Sequence, residues 1–257
     1  MLGKKIKKVK VFYPNIIENM NPNDFENKLL GQTINNILRR GKWLIFELDD
    51  YYLLSHLRME GKYFLKNADD DINKHQHVIF TFTDNKELRY QDTRKFGRMY
   101  LVDKEHLEEV KPIKELGLEP WSKDLNSTYL LDKYSKKRLP IKTVLLDQSI
   151  ITGIGNIYAD EILFLSKINP LTNCNKLNEQ QVNSIIKNTR DVLDKAIKEG
   201  GTTIRSYTSD EGVTGRFQND LFVHCKENER CVNCGSYIIK IKVGGRGTYY
   251  CPACQKD

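Results

Sequence analysis

The sequence predicts an α+β protein in three parts: an N-terminal β-sandwich, a helical region and a C-terminal cysteine-bearing hairpin. Three observations lead there. The first ~115 residues are rich in β-branched and aromatic residues separated by short polar turns. Past the stretch Gly117-Leu118-Glu119-Pro120-Trp121, helical periodicity takes over. Five of the six cysteines then fall in the last segment, from position 225 onward.

Taken in order, Trp43-Leu44-Ile45-Phe46-Glu47-Leu48 and Tyr52-Leu53-Leu54-Ser55-His56-Leu57 flank Asp49-Asp50-Tyr51, a hairpin pattern. Val78-Ile79-Phe80-Thr81-Phe82 and Glu87-Leu88-Arg89-Tyr90 flank Asp84-Asn85-Lys86, a second hairpin. A short helix is expected over 22–30. The strongest helical pattern covers 179–199, with Val182, Ile185, Ile186, Val192, Leu193, Ala196 and Ile197 on one face. Asn178 with Gln181 forms a capping box at its start, and Gly200-Gly201 ends it. A polar, glycine-containing loop covers about 205–219. Neither repeats nor low-complexity tracts occur. The domains expected are 1–118, 119–224 and 225–257.

With 39% hydrophobic residues and a mean hydropathy of -0.56, the chain can bury a core and remain soluble. No apolar run approaches the ~20 residues of a membrane span. The basic start, Met1-Leu2-Gly3-Lys4-Lys5-Ile6, has no apolar stretch of the secretory kind. Lysine and arginine number 41 against 34 acidic residues, a net charge of +7 that suits a polyanionic partner. Without an export signal, paired cysteines point to a metal rather than to disulfides, and to the cytoplasm.

The cysteine spacing is Cys231-x2-Cys234-x16-Cys251-x2-Cys254. Each Cys-x-x-Cys turn aims two thiolates at one ion, and two turns complete a tetrahedron. One structural zinc ion is expected, because four thiolates leave no open position for water. Cys174 and Cys225 read as ordinary thiols. Tyr237-Ile238-Ile239-Lys240-Ile241-Lys242-Val243 and Thr248-Tyr249-Tyr250 read as strands around a Gly244-Gly245-Arg246-Gly247 tip. Arg246 on such a tip can enter a DNA groove, clasp a phosphate or simply be solvated.

Gly153-Ile154-Gly155-Asn156 leads into a helix with Tyr158, Ile162 and Leu165 on one face. Successive amides at such a turn can bind a phosphate, or the glycines can serve the turn alone. Lys136-Lys137-Arg138 upstream favours nucleic acid.

Together these segments resemble formamidopyrimidine-DNA glycosylases. The matching motifs are Leu54-Ser55-His56-Leu57-Arg58-Met59-Glu60-Gly61-Lys62, Tyr90-Gln91-Asp92-Thr93-Arg94-Lys95-Phe96-Gly97, residues 141–163, Gly200-Gly201-Thr202-Thr203, and residues 217–255 with the Gly-Gly-Arg-Gly tip. The resemblance implies a β-sandwich, a helix–two-turn–helix module and a zinc finger, acting on damaged double-stranded DNA as a monomer in the nucleoid. It implies excision of oxidised purines such as 8-oxoguanine, followed by cleavage of the abasic strand. Lys42 and Arg246 take catalytic positions by this likeness. Met59, Arg94 and Phe96 resemble the trio that fills the gap left by a flipped base, with Arg94 facing the orphan cytosine. His75, Lys137, Asn156 and Arg246 resemble contacts to the DNA backbone. Glu60 with Ile204, Arg205, Ser206 and Tyr207 resembles the pocket for the extruded purine.

The family's reaction uses an N-terminal proline, whose secondary amine attacks the sugar C1′, followed by a glutamate that handles protons. No Pro-Glu opens this sequence, and Leu2-Gly3-Lys4-Lys5-Ile6 matches the segment after the family's first helix. The expectation is therefore a chain that binds damaged DNA with impaired excision. Pro14 is internal, so its nitrogen is an amide and cannot substitute. Two function classes follow: a bifunctional glycosylase and lyase, or a binding protein for lesions and abasic sites without catalysis. A third, the related pyrimidine-specific glycosylases, is disfavoured by the Gly-Gly-Arg-Gly tip.

Overall fold

The computed structural model describes residues 1–202 and 215–256. These divide into two compact units, one spanning Met1–Lys114 and the other beginning at Glu115.

The first unit holds two four-stranded antiparallel sheets. One has the order β1 (Ile6–Val11), β6 (Gln76–Phe82), β7 (Lys86–Gln91), β5 (Lys62–Asn67); the other runs β2 (Asn36–Arg40), β3 (Trp43–Glu47), β4 (Tyr51–His56), β8 (Arg98–Asp103). Alternating residues of both sheets, among them Val9, Phe80 and Tyr90 from one and Phe46, Leu53 and Met99 from the other, meet in one buried cluster. This is the sandwich expected from the sequence. Helix α1 (Pro22–Leu29), capped by Asn21, adds Phe25 and Leu29 to that core.

Both expected hairpins form, β3–β4 and β6–β7. Strands β1, β2, β5 and β8 are additional to the sequence reading. In β1 the inward residues are Ile6, Val9 and Val11, because a bulge lies between Ile6 and Lys8. That extra residue breaks the period of two and hides the strand among lysines. Strand β2 lies at a sheet edge with most of its residues exposed, so it shows no alternation.

The second unit is helical at its core, with α2 (Lys111–Lys114) preceding it at the end of the first. Helices α3 (Ser127–Ser135), α4 (Ile141–Leu145), α5 (Asn156–Leu165) and α6 (Glu179–Lys198) pack around Leu130, Val144, Ile162 and Ile185. Helix α6 carries the expected capping box of Asn178 and Gln181, and Gly200 and Gly201 follow it at φ 71° and 89°. Ile197 departs from the expected apolar face: it is 65% exposed, although Ala196 beside it in the same turn of α6 is buried in the core. Phe217, expected in a polar loop, is buried at the start of a short turn and meets Tyr158 edge to face.

The chain closes with β9 (Ile239–Val243) and β10 (Arg246–Tyr250), paired from Arg246↔Val243 to Tyr250↔Ile239. The turn is Gly244-Gly245 alone, at φ 54° and 79°, values that a two-residue hairpin turn of this hand demands. Arg246 is thus the first residue of β10, one step past the tip. Among the described residues, no helix is long and apolar enough to cross a membrane.

Candidate nucleic-acid interface and metal centre

In the first unit, topology decides which side chains meet. Residues 57–61 carry the chain from β4 in one sheet to β5 in the other. Residues 92–97 carry it back from β7 to β8. His56 pairs with Arg98, and Lys62 pairs with Gln91. The two sheet-to-sheet corners therefore run side by side, and Met59 on one reaches Arg94 on the other, which in turn lies against Phe96. The Arg94 guanidinium lies 4.9 Å from the Phe96 ring centre, and its Nη1 stands 3.2 Å from the Met59 sulfur. Met59 is 61% exposed and Phe96 45%, so two large apolar side chains face solvent beside a cation. Residue type alone suggests core positions for both; the resemblance expects them outside.

The corners are held rigidly from beneath. Asp92 is buried, and its carboxylate accepts from the backbone N–H of Arg94 (3.0 Å), Phe96 (2.9 Å) and Gly97 (2.8 Å) and from the Tyr90 hydroxyl (3.3 Å). Lys95 between them takes φ 59°, and Arg58 on the neighbouring corner takes φ 54°. A Cβ at Gly97 or Gly61 would come within 1.8 or 2.4 Å of the Tyr90 hydroxyl, so both corners need glycine. Sequence reasoning passed over Asp92 and Tyr90, although both lie inside a motif it quoted.

Lys42 occupies the two-residue turn between β2 and β3, after Gly41 at φ 57°. Trp43, next to it, pairs with His56 and meets that imidazole edge-on at 4.9 Å. His56 Nδ1 accepts from the Arg58 N–H at 3.0 Å. Burial first, then the positive charges of Arg58 and Lys42, push its pKa down to about 4. His75 lies on the β5–β6 connection, and its carbonyl accepts from the Asp92 N–H at 3.0 Å. That connection is pinned by Arg89, fully buried, whose guanidinium donates to the carbonyls of Asn67, Asp70 and Asp71 and pairs with Glu87 at 2.8 Å. Glu60 is half-buried on the Met59 corner. Ile204, Arg205, Ser206 and Tyr207 lie outside the described residues.

In the second unit, the turn before α5 is ordered by Gln148, whose side chain accepts from Gly153 N–H and donates to the carbonyls of Leu146 and Ile154. Gly153 takes φ 92°. Gly155 caps α5 without a side chain, and no acidic residue occupies the first turn, which leaves a positive helix end for an anion. Asn156 Nδ2 donates to the Gly247 carbonyl at 3.0 Å, while its Oδ1 is buried without a partner. The Thr143 side chain packs beneath Gly244, where a Cβ would lie 2.6 Å from its hydroxyl. Asn156 and the start of β10, with Arg246, are thus brought together. Lys137 sits after α3, paired with Asp147 at 3.4 Å.

The sulfur atoms of Cys231, Cys234, Cys251 and Cys254 lie within 4.8 Å of one another. Cys231 and Cys254 are 3.8 Å apart, and Cys234 and Cys251 3.5 Å. A tetrahedral ion with metal–sulfur bonds of about 2.3 Å requires separations of about 3.8 Å, so the four fit zinc. Without a cation they conflict: burial pushes the thiols of Cys251 and Cys254 up, while hydrogen bonds from Ser236 lower that of Cys234. One divalent ion reconciles them by favouring all four thiolates. Cys225 is exposed and Cys174 buried, both as free thiols outside the cluster.

A sandwich, a helical module and a four-cysteine hairpin define a modular protein with a metal-ordered C-terminus. The family model for the formamidopyrimidine-DNA glycosylase N-terminal domain matches residues 1–99, that for the formamidopyrimidine-DNA glycosylase H2TH domain residues 116–208, and that for the zinc finger found in FPG and IleRS residues 228–256. The formamidopyrimidine-DNA glycosylase of Oceanobacillus iheyensis is 47% identical over 260 residues, covering 99% of this chain and 91% of the relative. That of Bacillus subtilis is 46% identical, covering 98% and 92%. The structure of Lactococcus lactis Fpg in complex with DNA containing an abasic site superposes with a TM-score of 0.93 at 41% identity, covering 100% of this chain and 94% of that one. The chain belongs to the formamidopyrimidine-DNA glycosylase family.

Proposed function

We propose that this protein acts in base-excision repair: it binds duplex DNA at oxidised purines and abasic sites, removes the damaged base and cleaves the abasic strand. The observation that carries the reading is the exposed cluster of Met59, Arg94 and Phe96 on two braced corners. Apolar side chains on a rigid loop can enter a base stack and take the place of a base that has left it. In this reading Arg94 faces the orphan base with its fork of donors. His75, Lys137, Asn156 and Arg246 contact the backbone, and Glu60 with residues 204–207 receives the extruded purine. The hairpin's zinc ion is structural: it fixes β9 and β10 and supplies no open coordination position. The protein works as a monomer in the cytoplasm, held to the nucleoid through DNA.

Lys42 is assigned to the reacting sugar. At an abasic site, an amine adds to the open C1′ aldehyde and water leaves; the resulting iminium acidifies the C2′ hydrogen, and loss of that proton to a base breaks the C3′–O bond and releases the 3′ strand with its phosphate. Family membership favours this enzymatic reading over a lesion-binding protein without catalysis.

Binding to a duplex carrying a stable abasic-site analogue tests the recognition. The abasic duplex is expected to bind more tightly than the intact one, and equal affinity contradicts the proposal. Borohydride reduction with a true abasic duplex tests the chemistry: a covalent adduct is expected, reduced in Lys42→Ala, and its absence supports the binding-only alternative.

A further inference from the structure

Three polar side chains in the second unit are buried together. Lys142 on α4 and Asp160 on α5 are enclosed completely, and His224, on the approach to the zinc hairpin, is 7% exposed. Lys142 Nζ donates to Asp160 Oδ1 at 2.5 Å and to the Asn156 carbonyl at 2.7 Å. Asp160 Oδ2 stands 2.6 Å from His224 Nδ1. Next along α5, Glu161 accepts the backbone N–H groups of Phe222, Val223 and His224 at 2.7, 3.0 and 2.8 Å, which fixes the segment delivering His224.

These groups surround the hairpin's seat. The His224 imidazole meets Tyr249 edge-on at 4.9 Å, and Asn156 donates to Gly247. Tyr249 and Gly247 are two residues apart on β10, and Arg246 adjoins Gly247. Helix α5 therefore holds β10 at two points, one direct and one through His224. The arrangement is sensitive because a buried charge persists only while it is paired. Burial lowers the Lys142 pKa, and the neighbouring Asp160 opposes that shift. A carboxylate can only accept, so the His224 ring must donate to it.

We propose that His224 is a positioning residue: its Nδ1–H, held by Asp160, sets the register of the zinc hairpin on α5 and so aims Arg246 at the DNA backbone. The inference rests on the phosphate role assigned to Arg246 above. It assigns His224 no contact with DNA.

Two substitutions separate this from simple space filling. His224→Asn places an amide nitrogen near the Nδ1 position and removes the ring from Tyr249. His224→Phe keeps a ring against Tyr249 and removes the donor. In zinc-loaded protein bound to intact duplex, His224→Phe is expected to lower the slope of log K against log salt by about one and weaken low-salt binding about tenfold, as loss of one cationic contact does. His224→Asn is expected to bind like the parent. A ring that merely fills space predicts the reverse order; that result, parental binding by both variants, or loss in both overturns the proposal. If His224→Phe fails to retain zinc, the double variant Asp160→Leu with Lys142→Met decides, since it removes the acceptor of the Nδ1–H and leaves no unpaired buried charge: the same loss of slope supports the proposal and parental binding overturns it. Arg246→Ala is the control. If it leaves the slope unchanged, the phosphate reading itself fails; if it lowers the slope while His224→Phe does not, only the present inference fails.

Discussion

The guanidinium of Arg94 rests 4.9 Å from the ring centre of Phe96, and both residues hang from the carboxylate of Asp92 by their own backbone N–H groups. A cation and an apolar ring are thus carried as one body. The cation offers donors to a base edge, and the ring offers a surface to a base stack.

Arg94→Ala should change which opposite base is preferred. Arginine's fork distinguishes acceptor patterns on base edges, and each well-formed contact of this kind is worth about 1–3 kcal/mol of discrimination. Abasic-analogue duplexes with cytosine or adenine opposite should differ in affinity for the parent and converge for Arg94→Ala. An undiminished difference removes Arg94 from that role.

His56 ties stability to pH. Its pKa lies at about 4 in the fold against 6.5 ordinarily, and its neutral Nδ1 accepts the Arg58 N–H at the root of the Met59 corner. A folded value below the unfolded one means stability present above pH 6.5 and lost as pH falls towards 4. With the ring partly reached by solvent, the loss amounts to about 1–2 kcal/mol. His56→Asn keeps an acceptor near Nδ1 and does not titrate. Unfolding free energies of the two proteins should diverge across that window, the parent falling faster; parallel curves refute the assignment.

Zinc removal should act on the second unit. Chelation or Cys251→Ser should release one zinc per chain, disorder the β9–β10 hairpin and reduce the salt slope of DNA binding by about one through loss of the Arg246 contact. Cys225→Ser, outside the cluster, should retain the metal. Full metal content in Cys251→Ser, or its loss in Cys225→Ser, contradicts the ligand set.

Much of this architecture was legible in the sequence because it follows local rules. The cysteine spacing, the α6 capping box and the β3–β4 and β6–β7 hairpins each lie within a short stretch of chain. Strand β1 was not legible, since its bulge shifts Val9 and Val11 out of step with Ile6. Nor were the brackets that order the site. Asp92 acts on its own corner, but through a turn whose shape requires Gly97 against Tyr90, while the neighbouring corner requires Gly61 against the same ring. Asp160 and Lys142 are eighteen positions apart, and His224 is sixty-four beyond Asp160. Such pairings exist only once the helices are packed. The exposure of Met59 and Phe96 was likewise invisible to residue type and came from resemblance.

The most direct test is Phe96→Ala in competition between a duplex with a stable abasic-site analogue and the same duplex intact. The Phe96 ring is 45% exposed on a corner fixed by Asp92, so its removal leaves the fold intact and deletes the wedge. The account predicts that the parent prefers the abasic duplex, and that Phe96→Ala loses most of that preference while keeping its affinity for intact DNA, which rests on charge. An undiminished preference in Phe96→Ala, or a parent with no preference at all, contradicts it.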